Sequence, residues 1–353
     1  MDALVQECVC VRGKSMKNSS TAFKAVILAG GSGERFWPLS TEENPKQFLR
    51  VFGGESLIRQ CAQRLKSVAG EKEVFVVTSK RLVAATRSEL PELPLTNIVG
   101  EPMRRDTAAA VALGVSLVAP GEESASSDPV IGFFSSDQMV LNPAKFIKTL
   151  KKAISTARRS EAVVTIGIKP TFPSPAFGYI NPSNGAFVEK PSSKKAANYL
   201  KKGYLWNAGM FIARASAFKR AFAQFAPELY PLSIKPFSPA ARKRFYEKLP
   251  KISFDYAVME KYGNVKVVKG DFGWDDVGSY GAFDKYFPHD AMGNVREGPC
   301  TVVESEGNIC VARSARISLL GVKNLVVVTT PNAVLVADKS RVSEMKKLVG
   351  SMK

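Results

Sequence analysis

The segment AVILAGGSGERFWPLSTEENPKQFL, residues 25–49, constrains the fold more than any other part of the chain. A short apolar run ends in Gly30, Gly31 and Gly33, three glycines within four positions. Glycine admits positive φ and lets backbone amides approach a ligand closely. Free N–H groups in such a turn form a concave anion site. Two familiar phosphate loops do not fit. A P-loop would close Gly-Lys-Ser/Thr, whereas this one closes Gly33-Glu34-Arg35-Phe36. A dinucleotide fingerprint would need glycine where Phe36 stands. Taken alone, the spacing is equally compatible with a tight strand-to-helix turn. The flanking residues add a reason for chemistry. Arg35 and Lys46 bracket a stretch stiffened by Pro38 and Pro45, and proline restricts φ and lowers loop entropy. A stiff loop can hold two cations ready for a polyphosphate before it arrives.

The surroundings say what kind of sheet carries this turn. KAVILA, EVFVVTS, PVIGFFSSD and AVVTIGI are short β-branched or aromatic runs. Between them, SLIRQCAQRLKSV, DTAAAVALGVSLVA and PAKFIKTLKKAISTARR have apolar residues at helical spacing. Strand and helix in this rhythm predict an α/β fold with a mostly parallel sheet covered on both faces. Ligands in such sheets sit beyond the carboxyl ends of the strands, which directs attention to the positions after VILA and GFFSSD. From about residue 170 the pattern is mixed: FGYINPSNGAFVEKP reads as a hairpin turning at Asn184-Gly185, and WNAGMFIA as a strand. From about 291 many short β-branched runs predict a small all-β appendage, closed by a helix over 340–353.

We therefore expect three parts: a disordered tail over 1–22, a catalytic domain over 23–290 and the β appendage over 291–353. The tail carries Asp2 and Glu7 where a signal peptide wants a basic and then an apolar region, and Met16 is an alternative start. No stretch reaches the roughly 18 apolar residues of a membrane span, so no membrane partner is expected. Five cysteines without framework spacing point to a reducing, cytoplasmic setting. Cys8 and Cys10 have no second pair at zinc spacing. A single histidine, His289, excludes mechanisms that need two. The net charge of +18 admits nucleic acid, a pocket for small anions, or only a basic surface. No aromatic residues interleave with a basic stripe, which argues against nucleic acid.

LAGGSGERFWPLST followed by PKQFL resembles the signature of sugar-1-phosphate nucleotidyltransferases, and the FWPLS and PKQF wording is similar to the mannose-1-phosphate guanylyltransferases. The resemblance continues in order through EPMRRDTAAA, FFSSDQMV, FGYI, FVEKP, WNAGMFI, FDYAVMEK and GWDDVGS, covering Phe23 to Lys339. It implies a Rossmann-like nucleotidyltransferase domain followed by a short β-helix-like domain, with a homodimer formed through that β appendage. The implied reaction joins GTP and mannose 1-phosphate to give GDP-mannose and pyrophosphate, with Mg²⁺. The rival readings are a thymidylyl- or uridylyl-transferase acting on glucose 1-phosphate and, outside the class, a non-catalytic nucleic-acid-binding relative, against which the retained Arg35, Lys46, Asp137 and Asp276 count. With one histidine in 353 residues, a single-function enzyme without the isomerase domain of bifunctional relatives is expected.

By the same resemblance, Arg35, Lys46, Asp137 and Asp276 are the catalytic residues, with Asp137 and Asp276 holding the metal. Leu28, Ala29, Gly30, Gly31, Ser32, Gly33, Glu101, Arg105 and Thr107 face the nucleotide. Gly178, Glu189, Lys190 and Asn207 face the sugar phosphate. Read without the family, Asp276 could as well cap the helical stretch after it, and VEKP could be a hairpin end with a surface ion pair. Three positions depart from the family pattern: Asp106 replaces asparagine, Asp275 replaces serine, and Gln138 replaces histidine.

Overall fold

The computed structural model describes residues 22–31, 33–121 and 128–352. The tail through residue 21, with Cys8, Cys10 and Met16, lies outside the described residues, as does Ser32. The strands are β1 (Phe23–Ala29), β2 (Val74–Ser79), β3 (Ile98–Glu101), β4 (Val130–Ser135), β5 (Met139–Val140), β6 (Val163–Ile168), β7 (Tyr179–Ile180), β8 (Phe187–Val188), β9 (Leu205–Arg214), β10 (Val265–Gly270) and β11 (Trp274–Asp275). In the C-terminal part they are β12 (Val295–Glu297), β13 (Cys300–Val303), β14 (Ile309–Ala312), β15 (Ile317–Leu320), β16 (Leu325–Thr330) and β17 (Ala333–Asp338). The helices are α1 (Leu57–Ala69), α2 (Val83–Glu89), α3 (Asp106–Val118), α4 (Pro143–Arg158), α5 (Ser193–Lys201), α6 (Ala215–Phe225), α7 (Tyr230–Ile234), α8 (Pro239–Lys248), α9 (Gly281–Tyr286) and α10 (Met345–Gly350).

The main sheet runs β10-β6-β9-β4-β1-β2-β3, with β7 and β8 extending it beside β9. β1 pairs in parallel with both β2 and β4, β2 with β3, and β6 with β10. β9 runs antiparallel between β4 and β6. Parallel strands buried on both faces need continuous apolar runs, and β1, β2, β4 and β6 supply them. α1 and α4 cover one face and α3 and α6 the other. α1 starts where the Ser56 hydroxyl accepts the Arg59 N–H, and it buries the stripe Leu57, Ile58, Cys61, Ala62 and Leu65. α3 is buried on nearly every side and uses small residues. At Gly114 a Cβ would lie 2.6 Å from the Phe133 ring.

The C-terminal strands stack as coils. β12, β14 and β16 pair in parallel, as do β13 and β15, and β17 folds back antiparallel on β16. Asparagines carry the turns between coils. The Asn294 amide donates to the Ser305 carbonyl at 2.9 Å and its oxygen accepts from the Asn308 backbone at 2.9 Å. Asn308 repeats the pattern one coil on, accepting from the Leu325 N–H at 2.9 Å. The expected closing helix differs from the sequence reading: a 3₁₀ segment, Lys339–Glu344, comes first and the α-helix is only Met345–Gly350. One apolar cluster joins the two parts. Phe36, Leu39, Tyr280 and Phe283 pack with Val295, Ile309, Val326, Leu335, Val342 and Met345.

Candidate active site

The glycine turn leaves the carboxyl end of β1, and neighbouring polar side chains fix it. The Ala29 carbonyl accepts from the Gln47 amide at 3.0 Å and from the Thr78 hydroxyl at 2.9 Å. The Ser40 hydroxyl donates to the Gly33 carbonyl at 2.6 Å. Gly33 has φ 65, and a Cβ there would sit 2.4 Å from the Lys46 backbone nitrogen. Only glycine allows the turn to close against PKQF.

That closure buries Lys46, whose ammonium donates to Asp137 Oδ2 at 3.0 Å and to the Asp276 carbonyl at 2.6 Å. Segments far apart in sequence therefore meet at one ammonium. A Cβ on Gly278 would find Arg35 Nη1 at 3.3 Å and Asp276 Oδ2 at 3.5 Å, so the guanidinium and this carboxylate flank the same glycine. Burial pushes the Asp276 carboxyl up from its ordinary range and Asp137 adds to this, while Lys46 and Arg35 oppose it. Asp276 does not cap a helix: Tyr280 occupies the N-cap of α9. The next residue, Val277, has φ 47, an unfavourable conformation for a β-branched side chain. Its N–H donates to Asp275 Oδ1 at 2.6 Å, a bond that a serine hydroxyl could also accept. Asp275 is held in turn by Lys285 at 2.5 Å and Tyr286 at 2.7 Å.

Beside this cluster lies a cavity of 420 Å³. Its wall includes Leu28, Gly30, Gly31, Glu101, Arg105, Thr107 and Asp137. Glu101 is buried next to Gly30, where a Cβ would be 3.5 Å from Oε2. Burial raises its carboxyl to about 8; the Tyr246 hydroxyl, donating to Oε1 at 3.2 Å, works against that rise. Arg105 does not project freely into the space. Its Nε donates to the Tyr246 carbonyl at 2.7 Å and its Nη2 to the Glu247 carbonyl at 3.0 Å, as suits a cation at the end of α8. Thr107 accepts from the Phe254 N–H at 2.9 Å. Asp106 has φ 65. Asparagine and aspartate tolerate that region best among non-glycine residues, which accounts for the exchange of one for the other here.

A second group forms between the β7–β8 hairpin and β9. A Cβ on Gly178 would collide with Glu189 Oε2 at 2.5 Å and lie 3.3 Å from the Asn207 Cβ. Lys190 pairs with Glu189 Oε1 at 2.8 Å. The Asn207 amide donates to Asp255 Oδ1 at 2.9 Å, and its oxygen accepts from Thr165 at 3.0 Å. Burial, with Glu189 adding, raises Asp255 to about 7, and Asp106 contributes in the same direction. Gln138 is buried beside β9. Its amide donates to the Ala208 carbonyl at 2.9 Å, and among the described residues its buried Oε1 has no partner. Sequence reasoning gave no role to Gln47 or Asp255, although both sit inside the quoted PKQF and FDYAVMEK stretches. Lys346, which reaches the cavity wall from the C-terminal part, left no signal in the sequence.

The family model for nucleotidyl transferases matches residues 24–292, and the MannoseP isomerase/GMP-like beta-helix domain matches 298–352. The chain belongs to the nucleotidyl transferase family. Among curated members it is 35% identical to mannose-1-phosphate guanylyltransferase RfbM of Salmonella typhimurium, covering 94% of this chain and 73% of that one. It is 33% identical to mannose-1-phosphate guanylyltransferase of Escherichia coli, over 93% and 73% of the two chains. It is also similar to the crystal structure of mannose-1-phosphate geranyltransferase from Thermus thermophilus. That match has TM-score 0.82 and 32% identity, with 94% of this chain and 99% of that one covered. Within the family fold, the glycine turn and Asp137 follow the carboxyl ends of β1 and β4, and Asp276, which follows β11, is brought to them through Lys46.

Proposed function

We propose that the protein transfers GMP from GTP to mannose 1-phosphate, releasing pyrophosphate and forming GDP-mannose. The observation that carries this reading is the convergence of Lys46, Asp137, Asp276 and Arg35 beside a cavity that the glycine turn borders. The curated relatives named above carry the same activity in their names.

In this reading the loop amides and Arg35 hold the triphosphate, with a guanidinium offering two-point contact to phosphate oxygens. Lys46 supplies a compact charge near the α-phosphate. Glu101, Arg105 and Thr107 shape the wall for the base and ribose, and Arg105 does so through α8. Gly178 lets the hexose approach the backbone, and Glu189, Asn207 and Lys190 address its hydroxyls and phosphate. A phosphate oxygen of the sugar attacks the α-phosphorus; the α–β bridging bond breaks, and pyrophosphate leaves with the electron pair. Positioning and charge neutralisation do the work, and no protein base is needed because the attacking oxygen is already ionised.

The donor set fits Mg²⁺. Among the described residues no group of three or more His, Cys, Asp or Glu could hold a metal. Asp137 and Asp276, whose carboxylates act on each other and whose segments meet at Lys46, suit a hard ion that completes its shell with water and phosphate oxygens. When bound, Mg²⁺ would neutralise developing phosphate charge. We also place residues 23–290 as the catalytic part, assign the protein to the cytoplasm, and infer a homodimer through the C-terminal coils. Supporting the dimer, Leu320, Val334 and Val336 are exposed around a groove lined by Ile317, Leu319, Leu325 and Val327.

A panel of nucleoside triphosphates against mannose 1-phosphate and glucose 1-phosphate, read as pyrophosphate release with and without EDTA, tests the activity. GTP with mannose 1-phosphate should dominate and EDTA should abolish it. Preference for a pyrimidine nucleotide, or EDTA-resistant turnover, would overturn the assignment.

A further inference from the structure

The strongest unassigned feature is a cation delivered to the nucleotide cavity by the C-terminal part. α10 packs against the 3₁₀ turn Glu34–Phe36 that carries Arg35. Met345 and Val342 anchor it by burial in the cluster that contains Phe36 and Leu39. Lys346 follows Met345 and lines the cavity with Gly30, Gly31, Arg104 and Lys251. Its neighbour Lys347 is engaged by Glu344 at 2.7 Å, and Glu344 also holds Arg341 at 3.1 Å. Among the described residues no ion pair engages Lys346, although it lines a cavity that bound phosphates would fill with further acceptors.

We infer that Lys346 is a phosphate-binding residue of the active site, taking the outer phosphates of the nucleoside triphosphate and the departing pyrophosphate. This rests on the reading of the cavity as a triphosphate site. The geometry separates the roles of the cations. Lys46 is buried and bound to both aspartate segments, where charge changes at the reacting phosphorus. Lys346 sits at the exposed mouth, where a polyphosphate tail leaves. A flexible ammonium on the mouth contributes point charge rather than directional contact. The appended coils thus complete the site instead of only covering an apolar face. An exposed cation of this kind acts through screened attraction, so its contribution should shrink as ionic strength rises.

The test compares Lys346→Ala with Lys347→Ala in the full-length protein, using inorganic tripolyphosphate as a binding probe by calorimetry and GTP in steady-state turnover. Loss of one charge-assisted phosphate contact should weaken tripolyphosphate binding and raise the KM for GTP and, in the reverse direction, for pyrophosphate by about tenfold. kcat should change by less than about threefold, and the gap should close at high salt. Lys347→Ala should behave as wild type. Equal tripolyphosphate affinity in wild type and Lys346→Ala, or an equal loss in both variants, would overturn the inference. If the wild type instead prefers another nucleotide while Lys346→Ala still loses tripolyphosphate, the guanylyltransfer reading falls and the phosphate role of Lys346 stands.

Discussion

Lys46 is a buried ammonium whose acceptors come from residues 137 and 276, so its environment depends on segments that share nothing in sequence. The two aspartates should be the most sensitive positions. Asp276→Asn or Asp137→Asn is expected to lower kcat/KM by about a thousandfold through lost charge stabilisation, and Asp137→Asn should also lower the thermal midpoint because it removes the counter-charge of buried Lys46; pyrophosphate release and a melting curve check both. Gln138 has a packing role rather than one in proton transfer, because it is buried and its amide is spent on the Ala208 carbonyl. Gln138→His should change kcat by less than about tenfold, and a hundredfold gain would show a disabled site. Glu101 has a signature in stability. Its carboxyl, raised from an ordinary 4.5 to about 8 chiefly by burial, keeps in the folded state a proton that the unfolded chain has lost. Stability of the free protein should therefore fall as pH rises from about 4.5 through about 8. Asp255, raised to about 7, acts in the same direction. Glu101→Gln should flatten this dependence, which melting temperatures across that range will reveal.

At the scale of elements, much of the site was legible because motif residues sit where strands end. The carboxyl edges of β1 and β4 follow from two apolar runs, and the hairpin turn follows from Asn184-Gly185, with Gly185 at φ 76. The sequence could not tell that Arg105 would spend donors on α8 carbonyls, since that contact spans some 140 residues and depends on where α8 docks. Nor does a periodicity reveal the 3₁₀ segment before α10, because the same apolar spacing serves either helix over so few residues. Asp255 was missed for a related reason: a lone aspartate beside an apolar run reads as surface, and only its place at the start of the helical turn Asp255–Met259 brings it to the Asn207 amide. The glycine turn gives a sharp test. Gly33→Ala combines a positive φ with a Cβ 2.4 Å from the Lys46 nitrogen. It should destabilise by about 1–3 kcal/mol and raise the KM for GTP, as melting and kinetics would register together.

Across the whole molecule, the C-terminal coils and the glycine loop share one apolar cluster. A chain ending at residue 292 would expose Phe36, Leu39, Tyr280 and Phe283, so it should bind a hydrophobic dye and precipitate on heating, and a soluble, fully active truncation would contradict this coupling. The sequence texture changes near residue 291, where short β-branched runs replace the strand–helix alternation. The core shared by the two parts was not visible there, because nothing in either segment's pattern names the surface it will meet. The account as a whole rests on a single site for metal and triphosphate. Anomalous diffraction from crystals grown with Mn²⁺ and a non-hydrolysable GTP analogue tests it most directly. The prediction is one strong peak between the carboxylates of Asp137 and Asp276, with the base against the Glu101 wall; a peak bound by neither aspartate, or a nucleotide lying outside that cavity, would contradict it.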